Sequence, residues 1–418
     1  MPPPSDALRI ALLCYRGNPF SGGQGVYVRH LSRELVALGH DVMVFAGQPW
    51  PVLDDGVRFE AVPSLDLYRR PYPNWWPYPS QLKTSTDWLE WGLCMTGQFP
   101  EARTFSTRVE RRLRRRRDAF DIVHDNQCLG PGLLRLVQQG FPLVATIHHP
   151  ITVDRDLALA AATSQWQRFT LSRWYSFLDG QIRVARRLPH LITVSESSRR
   201  DIAAQMEVSL DRLRVVPVGV DQATFHPLGQ VERIPGRLLT TASADVPLKG
   251  LVPLLEALAK VRTEVPSAHL VVVGRIGEGS TVPTVMARLG IEDAVEFVSG
   301  ISDQRLVELY ASSQLAVVPS LYEGFSLPAI EAMATGTPLV ATTGGALPEV
   351  VGADGTTARL VAPGDAGELA VAIIDLLGDR DERETLEAAG RAHVLDRYTW
   401  RACAERTADI YRAAIGTC

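Results

Sequence analysis

Lysine is nearly missing from this chain. Of its 43 basic residues only Lys83, Lys249 and Lys260 are lysines, so a lysine inside a motif carries unusual weight. Cysteine is sparse and scattered: Cys14, Cys94, Cys128, Cys403 and Cys418 are odd in number and form no C-x-x-C pair. That excludes a disulfide framework and a cysteine zinc site, and it fits a reducing compartment. No apolar run approaches the ~20 residues that span a bilayer. The opening MPPPSD has no basic segment leading into an apolar one, so no secretory signal is expected and the cytoplasm is the expected location. A formal charge of −4 excludes a protein that coats nucleic acid.

What is present is ordinary globular material, 46% hydrophobic and 22% charged over 418 residues, enough for two domains each with its own core. Leu8–Cys14 reads as a buried parallel strand, followed by the glycine-bearing loop Gly17–Gly25. Val26, Val28, Leu31, Leu35 and Leu38 recur at helical spacing, Gly39 stands where a helix ends, and Asp41–Ala46 is the next strand. This is a β-loop-α-β unit. Further strands are expected at 57–62, 121–124, 143–147 and 191–194. The second half alternates more cleanly, with strands at 238–242, 269–273, 295–298, 315–319, 338–341 and 358–361. The pattern predicts an α/β chain of two doubly wound, Rossmann-like domains, whose ligand crevices lie at the carboxyl ends of their strands. Val215–Pro227 reads as the hinge, Pro71–Pro100 as a long irregular insertion, and 401–415 as an amphipathic helix.

The segment that carries chemistry is Ser320–Gly336, SLYEGFSLPAIEAMATG, just after an expected strand. Glu323 and Gly324 fall in a loop. A helix begins near Ser326, with Pro328 in its first turn, where proline is favoured. A helix amino terminus after a tight loop offers free N–H groups and a positive dipole end to an anion such as phosphate. Glu331, one turn in, is placed to accept hydrogen bonds from the vicinal hydroxyls of a ribose, and Glu323 from those of a hexose. A glutamate near a helix start also complements the dipole without any ligand; the restrictive Gly-Phe, Leu-Pro and Ala-Met-Ala-x-Gly context favours the functional reading.

EGFSLPAIEAMATGTPLVAT, followed by GGALPEVV, resembles the retaining glycosyltransferases of the GT-B fold, specifically glycosyltransferase family 4. GGQGVYVRHLSRELVALGHDVMVFA, ITVSESSRRDI and VVPVGVD carry the same resemblance, which is weakest from Pro71 to about Arg117. It implies an acceptor-side domain over 1–215, a nucleotide-sugar domain over 216–398, and a C-terminal helix, 399–418, packing back on the first domain. The implied reaction moves a hexose, mannose or glucose, from a donor such as GDP-mannose or UDP-glucose to an oligosaccharide or small glycoside, as in polysaccharide biosynthesis. It requires no cofactor and no metal. Glu323 would bind the donor sugar's hydroxyls and Glu331 the ribose. The backbone of Phe325, Ser326 and Leu327 would approach diphosphate and sugar, and Lys249 would hold the diphosphate as a point cation. His148 would contact donor sugar or acceptor, with His149 the neighbour most easily confused with it. Gly22 and Gly23 would let backbone N–H groups close on a phosphate. The chain departs from the family in two places. Ser326 replaces a usual glycine, and Ser243-Ala244 replaces a usual Gly-Arg; Arg275 is the nearest candidate for the lost charge, with a base contact or a solvated role as alternatives.

Tyr72, Trp75, Trp76, Tyr78, Trp88 and Trp91 cluster in the insertion. They suit the C–H faces of an acceptor sugar or, alternatively, pack the loop onto its domain. The run Arg108–Arg117 (RVERRLRRRR) is read as a solvated basic face, with peripheral docking on anionic lipid the less favoured alternative. Asp154-Arg155-Asp156 and Asp379-Arg380-Asp381 spell D-x-D, but neither ends a strand, so both are read as helix surface. A sugar-nucleotide epimerase and a non-catalytic glycan-binding protein remain as alternatives, and the chain is expected to be a monomer or homodimer.

Overall fold

In the computed structural model the described residues are 6–18, 23–68, 76–242, 246–277 and 279–416. They fall into two compact units. The first comprises Met1–Val194, Ser198–Val216 and Trp400–Cys418; the second comprises Ser195–Ser197 and Pro217–Thr399.

The first unit is built on a seven-stranded sheet: β1 (Arg9–Cys14), β2 (Asp41–Ala46), β3 (Arg58–Ala61), β4 (Ile122–Asn126), β5 (Leu143–Ile147), β6 (His190–Thr193) and β7 (Leu213–Val215). Their order is β3-β2-β1-β4-β5-β6-β7 and every pair is parallel. Parallel strands are covered on both faces, which is why Ile10–Cys14 is a continuous apolar run and Leu143–Ile147 is apolar except for Thr146, both buried throughout. The helix Gln24–Ala37 crosses from β1 to β2. It ends at Gly39, whose φ of 92° lets its N–H reach Val36 O and the His40 N–H reach Leu35 O. The helix Trp400–Gly416 belongs to this unit and packs on Gln24–Ala37 and β5.

The second unit carries a six-stranded parallel sheet: β8 (Ile234–Thr241), β9 (His269–Val273), β10 (Val295–Val298), β11 (Ser313–Val318), β12 (Leu339–Thr342) and β13 (Arg359–Val361), ordered β10-β9-β8-β11-β12-β13. Its core gathers Leu238, Leu254, Leu258, Leu270, Val317, Val340 and Ile373.

The expected strands are all present, with ends shifted by a few residues. One boundary moves and one expectation fails. Val215 closes β7, an edge strand paired with β6 that was too short and too polar to register as an apolar run, and the two units divide between Val216 and Pro217, within the expected hinge segment. The insertion is not irregular throughout: Ser85–Met95 is a helix. It starts on a capping box, with Asp87 N donating to Thr84 Oγ1 (3.3 Å) and Thr84 N to Asp87 Oδ2 (2.7 Å). Its inward face is partly ionic. Asp87 and Glu90 are buried and take Arg108 of the helix Glu101–Leu113 at 2.7 and 2.5 Å. A helix that docks through ion pairs has no apolar stripe for periodicity to find.

Candidate active site

In an open doubly wound sheet the crevice forms where strand order reverses, at the carboxyl ends. In the second sheet that point lies between β8 and β11. Lys249 follows β8, and Glu323 follows β11. The structure brings the two together: Lys249 Nζ donates to Glu323 Oε1 at 2.8 Å, and Ser320 Oγ donates to the same oxygen at 2.7 Å. Glu323 is 8% exposed.

Two glycines make this meeting possible. Lys249 closes the short 3-10 turn Pro247–Lys249, and Gly250 follows at φ 65°. A Cβ on Gly250 would lie 1.9 Å from Pro319 O, so any side chain would push the lysine turn off the end of β11. Leu321 N donates to Leu248 O at 2.7 Å and ties the two loops. On the other side Gly345 sits at φ 63°, where a Cβ would come 2.3 Å from Glu323 O, while Ala346 N donates to that oxygen at 2.8 Å. The glycine pair of GGALPEVV thus supports the backbone of Glu323.

The helix Leu327–Ala334 starts directly after this loop, with Pro328 in its first turn and no acidic residue there. Its N-cap is Ser326, at φ 95° and ψ 87°, a left-handed conformation that a residue with a Cβ adopts at a cost. The Ser326 hydroxyl is buried and finds no hydrogen-bond partner among the described residues. Phe325 is 6% exposed, its ring packed edge-on against Tyr398 at 5.3 Å, so the backbone there is the part left to meet a ligand. Glu331 lies one turn in and is half-buried. Burial, with Asp303 as a like charge, pushes its carboxyl up to about 7, against an opposing hydrogen bond from Tyr310. Tyr310 also donates to Pro328 O at 3.3 Å, so it buttresses both the helix start and the carboxylate. Arg275 is exposed two residues beyond β9, at the carboxyl edge of the same sheet.

In the first unit the reversal lies between β1 and β4. Gly23 follows β1 as the N-cap of Gln24–Ala37, at φ 69° with open space where a Cβ would stand. His148 follows β5. Its Nε2 meets Asn126 Oδ1 at 2.7 Å, its N–H donates to Gln127 Oε1 at 2.8 Å, and the Tyr27 ring stands edge-on at 4.7 Å. Burial, and next the neighbouring His149, hold its imidazole down at about 3, so it is neutral across the physiological range. His149 turns aside to Asp154, with Nε2 2.9 Å from Oδ2. Gly22, Ser243 and Trp75 lie outside the described residues, as do Tyr72 and Ala244.

Sequence reasoning missed Asn126, Gln127, Tyr310 and Ser320, the residues that hold the candidate groups. Asn126 ends β4, the strand beside β5, and Gln127 follows it; only the sheet order reveals that they face His148. Trp76 and Tyr78 are 70% exposed and Trp88 is 55% exposed; Trp91 joins them, its ring 5.6 Å from Trp76 and 5.7 Å from Trp88. The basic run is not one solvated face. Arg108 is buried against Asp87 and Glu90, Arg112 and Arg116 turn to Glu60, and Arg117 lies over the Phe141 ring. Asp154–Asp156 lies within the helix Thr152–Ala161, and Asp379 caps Arg380–Arg397 by accepting from Glu382 N at 2.9 Å. Among the described residues no group of three His, Cys, Asp or Glu is placed to hold a metal, and no helix is long and apolar enough to cross a membrane.

Similarity to known proteins extends over nearly the whole chain. The family model for glycosyl transferases group 1 matches residues 234–393, and that for Glycosyltransferase Family 4 matches 21–224. The chain is 51% identical over 409 residues to the MMP alpha-(1->4)-mannosyltransferase of Mycolicibacterium hassiacum, covering 98% of each. The chain belongs to glycosyltransferase family 4. Among solved structures it resembles sucrose-phosphate synthase from Thermosynechococcus elongatus, at a TM-score of 0.75 and 23% identity, over 98% of this chain and 100% of that one. It also resembles Anabaena Alr3699/HepE in complex with UDP and glucose, at 0.71 and 19%, over 97% and 100%. The fold is that of the GT-B glycosyltransferases, and the enzyme is a hexosyltransferase.

Proposed function

We propose that this family 4 enzyme transfers mannose, with retention of anomeric configuration, from GDP-mannose to an oligosaccharide or small glycoside. The observation that carries the reading is the Lys249–Glu323 pair, held at the strand-order reversal beside the amino terminus of Leu327–Ala334. In this reading the lysine and the helix N–H groups would stabilise a leaving diphosphate, and Glu323 would grip the sugar it leaves. Mannose as the sugar, and an α(1→4) bond as the product, rest on the M. hassiacum relative, whose name states both.

In this scheme the bond from C1 to the phosphate oxygen breaks, and its electron pair goes to the diphosphate. The acceptor oxygen attacks C1 on the same face, and its proton passes to the departing phosphate oxygen. No enzymic base is needed. A neutral His148, with Nε2 engaged by Asn126, serves as a hydrogen-bonding contact through Nδ1 and not as an acid. Arg275, two residues beyond β9, would supply the charge that the family supplies by arginine. Gly22 and Gly23 would close on the diphosphate, and Trp76, Tyr78, Trp88 and Trp91 would stack on acceptor sugars.

The test is to incubate the protein with GDP-mannose or UDP-glucose, with and without an α-mannoside oligosaccharide. Free GDP with an elongated glycan, and an axial anomeric signal by NMR, is the expected result. Turnover of UDP-glucose alone would displace the donor assignment. A new sugar nucleotide without acceptor would indicate an epimerase, and binding without diphosphate release would leave only a glycan-binding protein.

A further inference from the structure

A cavity of about 1020 Å³ in the first unit has no part in the scheme above. It is walled by the helix Glu101–Leu113 and its 3-10 extension, by the turn Pro79–Gln81 with the residues after it, and by β3 with the loop that follows. None of its lining residues is a donor or acceptor candidate. Six cationic side chains face it against two carboxylates, Glu60 and Asp87.

Both carboxylates are already committed. Glu60 takes Arg116 at 2.6 Å and Arg112 at 3.6 Å, and Asp87 takes Arg108 at 2.7 Å. Lys83, Arg111 and Arg115 have no acidic partner among the described residues. Arg112 records the imbalance: burial first, then the positive neighbours Arg108 and Arg116, lower its pKa in spite of Glu60. A solvated basic face would spread such charges over convex surface. Here they line one open hollow, with Lys83, Arg111 and Arg115 exposed at it, and charges of one sign gathered in a cleft raise the local concentration of counter-ions. The volume is at the upper end of the range for small-molecule sites. Guanidinium forks match phosphate oxygens bidentately, and a lysine adds a point charge. In a chain with three lysines, one stands in the candidate diphosphate site and another, Lys83, stands here.

We propose that this cavity is a second anion site, taking a soluble small molecule that carries two or more phosphate groups, through Lys83, Arg111 and Arg115. Inorganic polyphosphate and a phosphorylated metabolite share that chemistry. The probe is inorganic tripolyphosphate, titrated calorimetrically into the whole protein at low ionic strength. Lys83→Gln/Arg111→Gln/Arg115→Gln is expected to weaken binding at this site by roughly tenfold or more. Lys249→Ala should leave that site intact. A control removes the same charge from three exposed arginines outside the cavity, Arg168→Gln/Arg200→Gln/Arg214→Gln. Thermal unfolding checks that each variant is folded. No binding to the wild type, an equal loss in the control, or loss in Lys249→Ala alone would overturn the proposal. So would retention on phosphatidylglycerol vesicles without binding of tripolyphosphate, because that marks a membrane contact.

Discussion

The two sheets share one topology but arm their strand ends with opposite chemistry. At the end of β11 the second unit presents charge: Lys249 against Glu323, with Glu331 behind. At the end of β5 the first unit presents a neutral imidazole, fixed by the amides of Asn126 and Gln127. The difference fits a reaction in which charge develops on a leaving diphosphate while the sugar and acceptor need orientation. On the proposed reaction the charged end would stabilise and the neutral end would position, so mutations at the two ends should differ in size and in kind.

The largest losses should come from the charged end. Lys249→Ala and Glu323→Ala are each expected to lower kcat/KM by roughly 10²-fold or more, about 3 kcal/mol of transition-state stabilisation. Lys249→Ala also leaves Glu323 with the Ser320 hydroxyl as its side-chain donor among the described residues, so a lower Tm should accompany the kinetic loss. Near-normal turnover in either variant removes that residue from the site. The neutral end should lose less. Asn126→Ala frees the His148 ring and is expected to lower kcat/KM by roughly tenfold, the scale of one orienting hydrogen bond. A loss as large as that of Lys249→Ala would erase the contrast between the two ends.

The pH dependence separates the ends again. Glu331 titrates near 7 because its carboxyl is buried, with Asp303 as a like-charged neighbour. As the pH falls through 7 the carboxylate takes a proton and gives up acceptor capacity toward the ribose, so donor KM should rise. Glu331→Gln should show the high KM at every pH. His148, held near 3, should contribute no step between about 5 and 8. An initial-rate series at fixed acceptor measures both, and a KM flat with pH in the wild type would take Glu331 off the ribose.

Much of this was legible in the sequence, for identifiable reasons. Parallel strands are apolar on both faces, so β1, β2, β5 and β9 stand out as runs. The Glu323–Glu331 segment combines strand end, loop glycine and helix-start proline within a few residues, so its placement is local. The illegible parts are non-local. Asn126 reaches His148 because β4 neighbours β5, Tyr310 reaches Glu331 from the preceding helix, and Ser85–Met95 docks through Asp87 and Glu90 onto Arg108. Polar partners distant in sequence leave no periodic signal. A basic run read as one face divides, in the structure, into arginines held by Glu60, Asp87 and Glu90 and others facing a cavity.

The smallest expected effect concerns the place where this chain departs from its family inside the charged end. Ser326 holds φ 95° with its hydroxyl buried and without a partner among the described residues. Ser326→Gly removes the Cβ strain and the orphaned hydroxyl together, at the cost of extra chain entropy in the unfolded state. The left-handed penalty is about 1–2 kcal/mol and the glycine entropy about 0.5–1 kcal/mol, so the balance favours glycine by on the order of 1 kcal/mol. In a chain of this size that raises Tm by roughly 1 °C. Ser326→Ala keeps the Cβ and should recover only the hydroxyl's share. If both variants instead lose stability, the serine makes a contact that offsets its strain. If Ser326→Gly gains stability but loses donor affinity, the strain serves the site, because the serine backbone then holds the helix start in the geometry a diphosphate needs.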